Sequence, residues 1–203
     1  MKLKKLIPEL VQGITEAGYE KNPREIQNLC ISKIKSGADT FIIAPEGSGK
    51  SVAIVSAIIQ QLKEAVEMAP RAIVIVESRD KAFELDSTFK LLGKYTNLRV
   101  FPVFDQGQIK FQKDTIYEGQ DVVIGTPKRI HELLNITGMP ITKVKMLVVE
   151  DAERILPGRY HTVIYSIADR EKKIQCIFTA EKWQERFEKM AERIMINPSI
   201  LRK

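Results

Sequence analysis

Short, uninterrupted apolar runs constrain this chain most. They read "TFIIA" at residues 40–44, "AIVIV" at 72–76, "LRVFPVF" at 98–104, "DVVIG" at 121–125, "MLVVE" at 146–150 and "IQCIF" at 174–178. Successive side chains of a strand point to opposite faces, so a run that is apolar at nearly every position needs cover on both sides. Most of the intervals carry helical periodicity instead, as in "SVAIVSAIIQQLKEA", "PKRIHELL" and "KWQERFEKMAERI". Strands alternating with helices predict an α/β fold, a mainly parallel sheet with helices on both faces. Ahead of the first run, Leu6, Leu10, Val11 and Ile14 recur at helical spacing and predict an amphipathic helix ending near Gly18. "NPREIQ" predicts a second helix, with Asn22 as cap, Pro23 at its first position and Glu25 at a capping-box spacing. There is no internal repeat, low-complexity tract or long linker. Residues 1–203 therefore read as one domain, a helical segment over 1–36 followed by a core over 40–203.

Composition excludes several classes. Cys30 and Cys176 stand far apart in apolar-patterned segments and read as reduced core thiols rather than a disulfide framework. His131 and His161 are equally isolated, so spacing assembles no zinc cluster. The basic start "MKLKKLIPEL" lacks the apolar stretch of a signal peptide, and no run approaches a membrane span; the expectation is a cytoplasmic chain with no membrane partner. The net charge of +6 permits a polyanionic partner without demanding one, because its basic residues are spread along the chain.

The sharpest local signal follows the first run. "APEGSGKS", residues 44–51, leaves a predicted strand, turns on Gly47 and Gly49, and enters a predicted helix at Lys50-Ser51. Such a loop aims backbone N–H groups at phosphate oxygens, and the helix N-terminus adds its dipole. Glu46, Gly47, Ser48 and Gly49 then form the cradle, Lys50 reaches the β/γ-phosphates, and the Ser51 hydroxyl is a candidate Mg2+ ligand. A phosphate loop alone leaves small-molecule kinases and GTPases open.

Taken in order, the remaining segments resemble the first RecA-like domain of a DEAD-box RNA helicase. The family's loop has the form A-x-x-G-x-G-K-[ST], which accounts for Ala44. "GYEKNPREIQ" resembles the Q motif, and by that match Gln27 binds the adenine edge while Tyr19 lies against the base. The tyrosine is one residue further from Gln27 than usual, and Arg24 and Glu25 replace a Thr-Pro. "VESRDKAFEL" resembles P-T-R-E-L-A, with Ser78 and Arg79 at the Thr and Arg. "GTPKRI" resembles T-P-G-R through Thr126, Pro127, Lys128 and Arg129, and Gln106-Gly107 falls near the family's Gly-Gly pair. The resemblance implies that these loops grip the backbone of single-stranded or structured RNA, a mode with little sequence information.

Departures accompany the match. Motif II, V-L-D-E-A-D in the family, reads Val148-Val149-Glu150-Asp151-Ala152-Glu153 here, so each acid has exchanged length. The resemblance implies that Glu150 faces Mg2+ and that Asp151 faces the attacking water. A carboxylate about one methylene out of place still attracts Mg2+, but a misplaced base loses on the order of 100-fold in rate. Motif III, S-A-T in the family, reads Thr179-Ala180-Glu181; Glu153, Thr179 and Glu181 are the expected coupling residues. Alternatively, Glu181 opens the last helix as a solvated carboxylate. "INPSILRK" resembles the end of this domain. The second RecA-like domain, with its arginine finger, is then expected from elsewhere, in cis or in trans. The expectation is ATP or ADP binding with Mg2+, RNA binding, and poor hydrolysis by this chain alone. The alternatives are a non-catalytic RNA- or protein-binding scaffold, or another P-loop enzyme.

Overall fold

The computed structural model describes residues 3, 6–21, 23–66, 68–169 and 174–202. Two helices, α1 (Pro8–Glu16) and α2 (Glu25–Lys35), precede strand β1 (Thr40–Ile43). There follow α3 (Lys50–Leu62), β2 (Ala72–Ile75), α4 (Arg79–Leu92), β3 (Val100–Val103), α5 (Ile109–Tyr117), β4 (Val122–Gly125) and α6 (Pro127–Asn135). The chain closes with β5 (Met146–Val149), the short α7 (Ala152–Ile155), α8 (Thr162–Ala168), β6 (Gln175–Ala180), α9 (Glu185–Ile194) and β7 (Ser199–Arg202).

The strands form one sheet in the order β3-β4-β2-β5-β6-β1-β7, and every pairing is parallel. The continuous apolar runs are explained by two cores, one on each face. Ile42, Val74, Val148 and Ile177 point into a core shared with α1 to α4. Their neighbours Phe41, Ile73, Val149 and Phe178 point into a second core with α6, α8 and α9. Parallel pairing brings all the loops after the strands to one edge, and that edge carries the site.

Some local expectations shift. Asn22 lies outside the described residues. Helix α2 starts at Glu25 with Arg24 as its cap, so Pro23 precedes the helix; Gln27 Oε1 closes the end by accepting the Arg24 N–H at 3.0 Å. Helix α3 stops at Leu62, three residues short of its apolar pattern, where Lys63 turns to φ 64°. Strand β7 has no counterpart in the runs read from sequence. It is half-exposed, and its hydropathy does not mark it. Its position is set by Asp39, whose carboxylate is 1% exposed and accepts the N–H of Cys176 at 2.8 Å and of Ile196 at 2.7 Å. Both cysteines are buried free thiols, and burial pushes each up to about 12. No described helix is long and apolar enough to cross a membrane.

Candidate functional site

The phosphate loop lies between β1 and α3. Gly47 (φ 69°) and Gly49 (φ 92°) adopt the left-handed region that favours glycine, so the loop reverses without strain. At Gly49 close approach matters as well: a Cβ there would lie 2.8 Å from Gln27 Nε2. Gln27 is thus a buried residue (2% exposed) whose amide rests on the phosphate loop. Lys50 is also buried, and its ammonium donates to the carbonyls of Ala44 at 2.6 Å and Pro45 at 3.2 Å.

Motif II meets this loop directly. Ser51 Oγ donates to Glu150 Oε1 at 2.5 Å, across 99 residues of sequence. Glu150 is 2% exposed, and its second oxygen is buried with no partner. Burial pushes its carboxyl up to about 7; the Ser51 hydrogen bond and the Lys81 charge pull the other way, while Asp151 adds to the rise. Asp151 is half-buried at φ 50°, a left-handed conformation that aspartate tolerates better than most residues. A hydroxyl, two adjacent carboxylates and an orphaned carboxylate oxygen suit Mg2+, which takes one or two carboxylates and completes its shell with phosphate and water. Among the described residues no group of three or more His, Cys, Asp and Glu forms an all-protein cage.

Tyr19, Gln27, Glu46 to Ser51, Glu150 and Asp151 all line one depression of about 390 Å3. The structure therefore brings the nucleotide candidates together. Arg24, read in the sequence only as a departure from the Q motif, lines it too, as do Lys81, Glu84 and Thr88, which went unread. A lysine and a glutamate three apart on a helix look like a solvated surface pair, which concealed them.

The coupling residues also converge. Thr179 Oγ1 accepts the Asp151 N–H at 3.0 Å, and Glu153 Oε1 accepts the Glu181 N–H at 2.9 Å. Motif III is tied to motif II by a hydroxyl and a main-chain amide, so the side chain of Glu181 is not needed for the link. Glu181 does not open the last helix, because α9 begins at Glu185. Its carboxylate lies 3.9 Å from Arg154, which pairs with Glu77 at 2.9 Å.

A second depression lies on the same edge and gathers Ser78, Arg79, Thr126, Pro127 and Lys128 with Glu77, Asp105, Arg154 and Tyr160. The roles differ residue by residue. Ser78 Oγ caps α4 by accepting the Lys81 N–H at 3.2 Å, and Thr126 Oγ1 donates to Asp105 at 2.6 Å. The Arg79 guanidinium lies over the rings of Phe104 (4.9 Å) and Phe83 (5.5 Å), and Lys128 is 3.5 Å from Asp105. Arg129, expected on nucleic acid, is 4% exposed and turns inward. It donates to the carbonyls of Asp105 (2.6 Å) and Gly107 (3.0 Å) and to Gln112 Oε1 (3.2 Å). Arg129 and Gly107 thus shape the rim, and Arg79, Lys128 and Arg154 are accessible cations on it.

The DEAD/DEAH box helicase family profile matches residues 24–185, most of the chain. The chain belongs to that family. Eukaryotic initiation factor 4A of Caenorhabditis elegans is 26% identical over 191 residues, 94% of this chain and 47% of that protein. The ATP-dependent RNA helicase FAL1 of Meyerozyma guilliermondii is 31% identical over 166 residues, 80% of this chain and 40% of that protein. The chain thus spans half or less of the length of these curated relatives. A solved structure of S. cerevisiae dbp5, bound to nup159, gle1, IP6 and ADP, superposes with a TM-score of 0.84 over 98% of this chain and 52% of that one. At 20% identity that likeness shows the RecA-like fold alone, and the family rests on the profile match. The sequence predicts a mainly parallel sheet and the observed one is parallel at every pairing, and the family match agrees with the resemblance read from the motifs.

Proposed function

We propose that this domain binds ATP or ADP with Mg2+ in the first depression and the sugar-phosphate backbone of RNA in the second. The observation that carries this reading is the convergence of Gln27, Gly47 to Ser51, Glu150 and Asp151 around one cradle. The loop N–H groups and the α3 dipole would attract phosphate, Lys50 would add a charge-assisted hydrogen bond, and Gln27, beside the loop, would read a base edge. Bound Mg2+ would neutralise phosphate charge, and Ser51, Glu150 and Asp151 would hold it. Asp151 is the candidate base toward water, one methylene shorter than the family's acid, so hydrolysis by the domain alone is expected to be weak. A second RecA-like domain, in cis or in trans, would supply the rest of the catalytic machinery and the other wall of the RNA cleft. A cytoplasmic setting fits such a partner.

The competing scaffold reading draws on one observation: Ser78, Thr126 and Arg129 are occupied by internal hydrogen bonds. A fluorescent ADP titration, competed with ATP and GTP, separates the two readings. Adenine nucleotides should displace the probe better than GTP, and Gln27→Ala should erase the preference. No saturable probe binding by the intact chain would favour the scaffold.

A further inference from the structure

One wall of the nucleotide depression comes from α4, the helix whose first residues lie at the RNA rim. Lys81, Glu84 and Thr88 follow each other along one face of this helix and reach the same space as Ser51, Glu150 and Asp151. Lys81 occupies the leucine of the P-T-R-E-L-A pattern, so an apolar position has become a cation facing the site.

The local environment of Lys81 is unusual for a surface lysine. It is the third residue of α4, where the free N–H groups already make the helix end positive and a cation is disfavoured. Its side chain is nevertheless only 22% exposed, and it pairs with Glu84 at 3.1 Å. Burial lowers its affinity for a proton, but Glu84, Glu150 and Asp151 together outweigh burial, and the pKa is raised. The Lys81 ammonium, paired with Glu84, thus lines the same depression as the motif II acids. On the loop itself, a Cβ at Gly49 would meet Gln27 and Arg24, while Ser51 two residues on bonds Glu150, so the loop touches the Gln27 side and the motif II side in turn. A nucleotide whose base lies on Gln27 and whose inner phosphates lie in the loop directs its last phosphate toward Lys81.

We propose that Lys81 is a second phosphate-binding lysine, which adds a contact to the terminal phosphate of a nucleoside triphosphate beside Lys50, while the loop holds the inner phosphates. This rests on the nucleotide reading of the same depression and sharpens it: the triphosphate is recognised by a contact that the diphosphate cannot make. Glu84 holds the ammonium at 3.1 Å and competes with the phosphate for it.

The test is titration of the intact chain with Mg-ATP and Mg-ADP, for wild type, Lys81→Met, Lys81→Arg and Glu84→Gln. Loss of a charge-assisted hydrogen bond should weaken ATP binding by about 10- to 100-fold. ADP binding should stay within about twofold. Lys81→Arg should restore most of the ATP affinity, and Glu84→Gln should raise it, because the ammonium loses its competing partner. If Lys81→Met lowers ATP and ADP affinity equally, Lys81 only balances the motif II acids, and the proposal fails. If it changes neither, the proposal also fails. If wild type binds neither nucleotide while remaining folded, the nucleotide reading falls first and takes this proposal with it.

Discussion

Ser51 and Glu150 share a 2.5 Å hydrogen bond that joins the first turn of α3 to the end of β5. The serine hydroxyl follows the phosphate loop, and the carboxylate opens motif II. Their contact fixes the distance between phosphate cradle and acid pair before any ligand arrives. It also keeps Glu150 in a buried setting where its charge is unfavourable.

That setting makes stability depend on pH. The Glu150 carboxyl stands at about 7 against an ordinary 4.5. Between those values the folded chain keeps a proton that the unfolded chain releases, so this group's contribution to stability falls as pH rises. The full effect is at most about 3 kcal/mol. Glu150→Gln should match wild type near pH 4.5 and exceed it by about 1–3 kcal/mol at pH 8, measured by urea denaturation at both values. Equal stability at both would refute the buried charge. Mg-nucleotide affinity of wild type should rise with pH through about 7, because the proton and the metal compete for the same oxygens.

The acid lengths predict a gain of activity. Glu150→Asp combined with Asp151→Glu should raise ATP turnover by about 10- to 100-fold once a second RecA-like domain is supplied. The cost falls on the backbone, because position 151 sits at φ 50° and glutamate tolerates that conformation less well than aspartate. A loss of about 1 kcal/mol in stability is expected. Unchanged turnover in a folded double variant would sink the account of motif II.

The proposed RNA rim separates binding from bracing. Lys128→Ala or Arg79→Ala should weaken single-stranded RNA binding several-fold and flatten its salt dependence by about one unit, read by fluorescence anisotropy at several salt concentrations. Arg129→Ala should instead destabilise the fold by about 2–4 kcal/mol, because buried acceptors on Asp105, Gly107 and Gln112 lose their donor. A fully stable Arg129→Ala with selectively lost RNA binding would reverse that assignment.

Packing of the N-terminal helix rests on a bare backbone contact. A Cβ on Gly13 would lie 2.1 Å from the Leu92 carbonyl oxygen, so α1 crosses the end of α4 with no room for a side chain. Gly13→Ala should cost about 1–3 kcal/mol by denaturant midpoint. A neutral result would show that α1 can shift.

What was legible in the sequence follows from periodicity and punctuation. The apolar runs mark β1, β2 and β4 to β6 because both faces of these strands are buried, and edge strand β3 is marked by its run although only Val103 is fully buried; the glycines and Lys50-Ser51 mark the cradle because phosphate binding needs them in that order. Strand β7 was not legible: its half-exposed residues follow no apolar run, and its position depends on Asp39, some 160 residues earlier. The inward turn of Arg129 was equally hidden, since it depends on the loop after β3 reaching over the start of α6. Lys81 resembles a solvated helix residue until the first turn of α4 is seen to share a depression with the acids that follow β5. Pattern reveals elements and loops; which side chains face one another is decided by packing.

The most direct measurement is calorimetric titration of the intact chain with Mg-ATP and Mg-ADP, with Lys50→Ala alongside. The account predicts saturable binding of both nucleotides to wild type, lost or weakened at least about tenfold in the variant. Absence of binding by the folded wild type at millimolar nucleotide, or binding that ignores Lys50, would contradict it.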